Sequence, residues 1–190
     1  MKFLSLFLII ILIFFTNSCS KKKPEYSVIE KDDIEEQMID AYTKGVEALE
    51  DGDAFFAAKK FNEAEILFPQ SEWAAKAAIM AAYSYYSQGY YSNSIEELNN
   101  YLKQYPNDPQ VDYAHYMLAI NYFETIVDEK KDLTPLLKAK KGFQYILSEY
   151  PNSDFALDAK FKIEYVNDIL ASKEMYLGRH YIKKEKWIPA

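Results

Sequence analysis

Residues 45–69 read GVEALEDGDAFFAAKKFNEAEILFP, and their spacing decides the fold. Small residues stand at Gly45, Gly52, Ala57 and Ala64, a large one at Phe61, and Pro69 closes the run. The apolar pattern is helical, and no period-two stretch is long enough to compete with it. A proline in this place ends the second helix of a pair, because it cannot donate to the helical ladder and restricts the residue before it.

The same ending recurs. FNEAEILFPQS, LNNYLKQYPND and FQYILSEYPNS place Pro69, Pro106 and Pro151 after an apolar-aromatic helical run, with an aromatic residue just before each proline. The proline spacings are 37 and 45, close to the 34-residue tetratricopeptide unit with a few residues added. In phase with Pro106 stand Ala82, Tyr85, Gly89, Ser94 and Leu98, with Tyr101 where Ala is usual. In phase with Pro151 stand Ala119, Tyr122, Ala139 and Phe143, and DEKKDLT (128–134) is inserted between the two helices of that unit. A fourth unit begins with Leu177, Gly178, Tyr181, Trp187 and Ala190. The expected fold is therefore all-α, a right-handed superhelical array of antiparallel helix pairs over residues 34–190, with three full tetratricopeptide units and the first helix of a fourth. Terminal repeats need a polar outer face, so the helix expected over 155–186 is left with an uncovered apolar stripe.

Composition narrows the function. Twenty-nine acidic residues against 22 basic ones give a formal charge of −7, which disfavours nucleic acid, since phosphate counterions are displaced by a basic face. A single cysteine among 190 residues cannot form an intrachain disulfide or a multi-cysteine zinc site. His115 and His180 lie far apart with no metal-ligand spacing, and no serine sits in a nucleophile elbow. No catalytic residue, metal site or cofactor is expected. Acidic pairs such as Glu35-Glu36 and Glu96-Glu97 read as solvated helix faces.

The N-terminus carries a different signal. Residues 3–15, FLSLFLIIILIFF, hold twelve apolar residues in thirteen, preceded by Lys2. As a helix this run covers about 20 Å, short of the roughly 30 Å hydrocarbon core. It reads as a secretory signal over residues 1–18. The following Thr-Asn-Ser-Cys resembles a bacterial lipobox: Ser18 fits the pattern, Thr16 and Asn17 depart from it, and Cys19 would be the lipidated residue. A cleaved signal with an incidental cysteine, or an uncleaved anchor, is the alternative. Diacylglycerol and palmitate chains at about 0.8 kcal/mol per buried CH₂ would hold the protein on a membrane. Residues 19–33, charged and containing Pro24, read as a tether.

Three blocks carry a more specific resemblance: WAAKAAIMAAYSYYSQGYY (73–91), YPNDPQVDYAHYMLAI (105–120) and KEMYLGRHYIKKEKWIPA (173–190). Together they resemble the outer membrane assembly lipoproteins of the BamD family, and the likeness runs from the lipobox to the last residue. The family commonly has Arg-Gly where this chain has Leu118-Ala119, and its members usually continue for more than one further repeat. The resemblance implies a non-enzymatic scaffold, lipid-anchored to the inner leaflet of the outer membrane and facing the periplasm. Its implied partners are the barrel-inserting subunit, accessory lipoproteins of the same complex, and the extended C-terminal segments of unfolded β-barrel substrates. The competing function is a periplasmic repeat adaptor that organises the cell envelope or cell division, which the short tether without heptads disfavours.

In such arrays the first helix of each pair lines the concave face. The expected groove residues are Tyr42, Val46 and Leu49 in the first unit, then Ile79, Tyr83 and Tyr86, then Tyr113, Tyr116, Ile120 and Phe123. Tyrosine supplies contact area and a polar tip at low entropy cost, which suits an extended apolar-aromatic peptide. For any one of these rings the competing role is packing between helices.

Overall fold

A computed structural model describes residues 31–125 and 132–185. Seven helices run in order through them: α1 (Lys31–Glu50), α2 (Ala54–Leu67), α3 (Glu72–Ser87), α4 (Tyr91–Gln104), α5 (Val111–Glu124), α6 (Thr134–Glu149) and α7 (Ala156–Lys183). The expected signal, the tether, Cys19, most of the 128–134 insertion, Trp187 and Ala190 lie outside the described residues.

Each helix packs on its neighbours in sequence, and three apolar clusters knit them together. The first joins α1, α2 and α3 around Met38, Ala57, Phe61 and Ala77. The second joins α3, α4 and α5 around Ala78, Leu98, Tyr101 and Ala114. The third joins α5, α6 and α7 around Ala119, Phe143, Ile146 and Ala159. Every second helix of a pair thus sits against two successive first helices, as in a tetratricopeptide array: the protein is all-α and repetitive.

The two residue types picked out by spacing do distinct physical work. Small residues set helix approach. A Cβ on Gly45 would come within 2.8 Å of the buried Phe61 ring, so glycine there leaves room for that ring against α1. Between α5 and α6 a Cβ on Gly142 would meet the Ala119 Cβ at 2.7 Å. The contact at the Leu118-Ala119 departure is thus closed by a glycine on the opposite helix. Tyr101, standing where alanine is usual, is buried, and its hydroxyl donates to Asp108 Oδ1 at 2.6 Å. That bond answers the polar-group cost of putting a tyrosine in a core.

Turns repeat as well. Phe68, Tyr105 and Tyr150, each followed by proline, end α2, α4 and α6 with nearly the same backbone: φ −140, −121 and −128°, ψ 66, 54 and 52°. The residue before proline is driven out of the helical region. Three residues on, the N–H of Ser71, Asp108 and Ser153 donates back to the carbonyl of the same aromatic at 3.0–3.1 Å. Within units, α1 ends on Gly52 at φ +79°, with Gly52 N–H donating to Leu49 O and Asp53 N–H to Ala48 O. This is the left-handed glycine cap. Asp53 then caps α2, its Oδ1 accepting from Phe56 N–H at 3.0 Å.

Candidate peptide-binding groove

On α5 the buried stripe Val111, Ala114, Met117 and Asn121 faces the array. The adjoining stripe, Tyr113, Tyr116 and Phe123, is half-buried and meets α7. Tyr116 stacks on Phe155 with centroids 4.9 Å apart and planes at 22°, Tyr113 lies 5.3 Å from the same ring, and Phe123 reaches Tyr165 at 5.7 Å. From α3, Tyr86 contacts Tyr83 at 6.4 Å and Tyr91 at 6.0 Å. The rings form a wall across the first helices of the second, third and fourth units.

A cleft of about 210 Å³ opens in this wall, lined by Tyr86, Tyr113, Tyr116, Met117, Ile120, Glu124, Asp158 and Lys162. Six of these eight side chains end in a polar group, and Met117 and Ile120 supply the apolar floor. The Tyr116 hydroxyl donates to Asp158 Oδ2 at 2.5 Å, tying α5 to α7. Burial, then the bond to Asp158 and its charge, push the Tyr116 hydroxyl far above its ordinary value. Burial raises the Tyr113 hydroxyl as well, with weaker help from Tyr83 and Tyr86. Both hydroxyls stay protonated at neutral pH; the Tyr116 proton is held by Asp158, which leaves the Tyr113 hydroxyl as a donor. Lys162 lies over the Phe123 ring at 4.9 Å, which keeps a cation at the cleft edge.

The expected residues divide between this cleft and the core. Tyr86, Tyr113, Tyr116 and Ile120 come together in the cleft, Tyr83 stands exposed beside Tyr86, and Phe123 continues the wall. Ile79, only 3% exposed, is a core residue of the second cluster and presents almost nothing to a ligand. Val46 and Leu49 are half-buried against the first cluster. Tyr42 is half-buried elsewhere, edge-on to Phe61 at 5.1 Å and to Trp73 at 5.3 Å. There Lys76 covers Trp73 at 4.6 Å, beside a second cleft of about 590 Å³ lined by Glu72, Asp108, Pro109 and Gln110.

Sequence reasoning passed over Trp73 and Lys76, though carrying the α3 stripe one or two turns back from Ile79 reaches them. It also passed over Phe155, Asp158 and Lys162, which the groove inherits from the following helix. His115 packs against Tyr145 at 4.6 Å, and burial lowers its pKa. Among the described residues no group of three or more His, Cys, Asp or Glu side chains is placed to hold a metal ion. No described helix is long and apolar enough to cross a membrane.

Comparison with known proteins now adds to the geometry. The model of the YfiO outer membrane lipoprotein family matches residues 34–190, all but the N-terminal segment. The chain belongs to the YfiO outer membrane lipoprotein family. Among its relatives is the outer membrane protein assembly factor BamD of Caulobacter vibrioides, 36% identical over 149 residues, which are 78% of this chain and 49% of that protein. BamD of Rickettsia prowazekii is 31% identical over 97% of this chain and 70% of its own length. BamD of Haemophilus influenzae is 25% identical over 82% of this chain and 64% of its own. The chain spans about half to seven tenths of the length of these curated relatives. In this YfiO-family chain, the matched region contains every described helix from α2 onward and nearly all of α1.

Proposed function

We propose that this chain takes part in outer membrane protein assembly as a non-enzymatic adaptor, and that the cleft between α3, α5 and α7 receives an extended, aromatic-bearing segment of an unfolded β-barrel substrate. The tyrosine wall carries this reading: apolar faces for a peptide's side chains, with the protonated Tyr113 hydroxyl for the peptide backbone. The relatives named as assembly factors support the setting. In the same reading residues 1–18 are a signal, Cys19 is lipidated, 19–33 are a tether, and the repeats from 34 onward hang from the inner leaflet of the outer membrane into the periplasm. The barrel-inserting subunit and accessory lipoproteins would be its partners.

The test is a fluorescence titration of the full chain in non-ionic detergent with a labelled C-terminal peptide of a barrel protein. Tyr113→Ala should weaken binding about tenfold, the loss of one buried aromatic anchor. A peptide that fails to bind, or that binds Tyr113→Ala equally well with helicity unchanged by circular dichroism, would count against the cleft. Palmitate labelling that survives Cys19→Ala would remove the anchor.

A further inference from the structure

The turn edge of the first two units carries an aromatic patch that neither the core nor the cleft uses. The α2 core positions are filled by Ala54, Ala57, Ala58, Phe61 and Ala64. Phe55 and Phe56 point away from it, 50% and 45% exposed, and Tyr90 at the start of α4 is 44% exposed. These rings are organised. Phe55 lies 4.6 Å from Tyr90 and 5.3 Å from Tyr85, edge-on to both. The two turns beneath them adjoin, since a Cβ on Gly52 would sit 3.8 Å from Gln88 Nε2. Exposed rings grouped in ordered edge-on contacts at a turn edge mark a place of contact.

Charge says what kind. The last turn of α1 and the turn after it carry Glu47, Glu50, Asp51 and Asp53, with no lysine or arginine between residues 45 and 58. Glu50, Asp51 and Asp53 are exposed on the turn leading into the patch. On the far side burial, and then the charges of Glu97 and Glu96, raise the Tyr85 hydroxyl above its ordinary value. The patch already holds one cation of its own, Lys60 Nζ, 5.8 Å from the centre of the Phe56 ring. Aromatic faces flanked by carboxylates select a flat cation, which stacks on the ring while its fork bonds to an oxygen pair. The same charge repels phosphate, and so anionic lipid and nucleic acid.

We infer that the Phe55–Tyr90 edge is a docking surface for an extended, arginine-bearing segment of a partner protein, separate from the tyrosine cleft. A fluorescein-labelled peptide alternating arginine and valine, with its lysine and glutamate counterparts, tests it by anisotropy against the full chain in non-ionic detergent. The arginine peptide should bind several-fold more tightly than the lysine peptide, and the glutamate peptide not at all. Phe55→Leu, which keeps an apolar group but removes the ring, should weaken the arginine peptide about fivefold, in line with loss of a cation–π contact. Asp51→Asn should weaken it less, and Tyr113→Ala should leave it unchanged. Equal affinity for arginine and lysine peptides, indifference to Phe55→Leu, dependence on Tyr113, or absence of binding would each overturn the inference.

Discussion

Helices α3 and α7 are both first helices of a repeat pair, yet they are built unlike one another. Half of α3 is buried, eight residues of 16, six of them alanine. Of the 28 residues of α7 only Ala156, Ala159 and Val166 are buried, all in its first half. On α7, Leu157, Phe161 and Tyr165 form an i, i+4, i+8 stripe in which every member is more than half exposed. The uncovered apolar stripe expected from the sequence is there. The contrast has a simple origin: α3 has a packed helix on each side, whereas α7 among the described residues packs on α6 and the α5 wall alone. In a repeat array stability is a sum over neighbours, so burial falls where neighbours end, whatever the helix's own length.

That contrast can be broken most forcefully at Phe61. Phe61→Ala empties a fully buried site shared by α1, α2 and α3 and should cost about 3–5 kcal/mol in denaturant unfolding. Next comes Gly52→Ala, which places a Cβ in the left-handed conformation at φ +79°. It should cost about 1–2 kcal/mol with helicity retained. A smaller effect, with a pH signature, belongs to Glu65. Its carboxyl is raised above its ordinary value, by burial first and by Glu97 as well, while the hydrogen bond from Tyr105 pulls the other way. A raised carboxyl is one whose ionisation the fold disfavours, so its contribution to stability falls as pH rises from the unfolded value through the folded one. Glu65→Gln should therefore be neutral or stabilising at pH 7, and the difference from the parent should shrink as pH approaches 4.5. A difference that grows on acidification would contradict this. Smallest of all, Phe161→Ala on the open stripe should change stability by less than about 0.5 kcal/mol. A large loss there would mean that the stripe is covered in solution and that the two helices differ less than they look.

The turns were the most legible part of the molecule. Aromatic-Pro followed by a small polar residue names its own conformation, because proline restricts the residue before it and the polar residue three places after that aromatic closes the turn. Gly45, Phe61, Ala139 and Phe143 were legible for a similar reason: helix approach leaves one acceptable size at each place. The groove was legible only in part. A helical period gives the stripe but not where its edge falls, so Ile79 was assigned to a surface when α4 and α5 cover it. Two of the eight residues that line the cleft, Asp158 and Lys162, come from the next unit. A side chain's neighbour across a repeat boundary depends on the pitch between units, which no single helix encodes. The aromatic edge at Phe55 and Tyr90 left no periodic mark, since it joins the start of one helix to the start of another across two turns.

The near-identity of the backbone at Phe68, Tyr105 and Tyr150 bears on how such a molecule can change in length. Each unit passes the chain to its successor through the same joint, closed by the same backbone bond. A duplicated unit bounded by two such joints would enter the array without asking its neighbours to tilt, and a deleted one would leave the ends able to meet. Growth and shrinkage by whole units are therefore cheap, whereas an insertion inside a unit has no such joint to enter by.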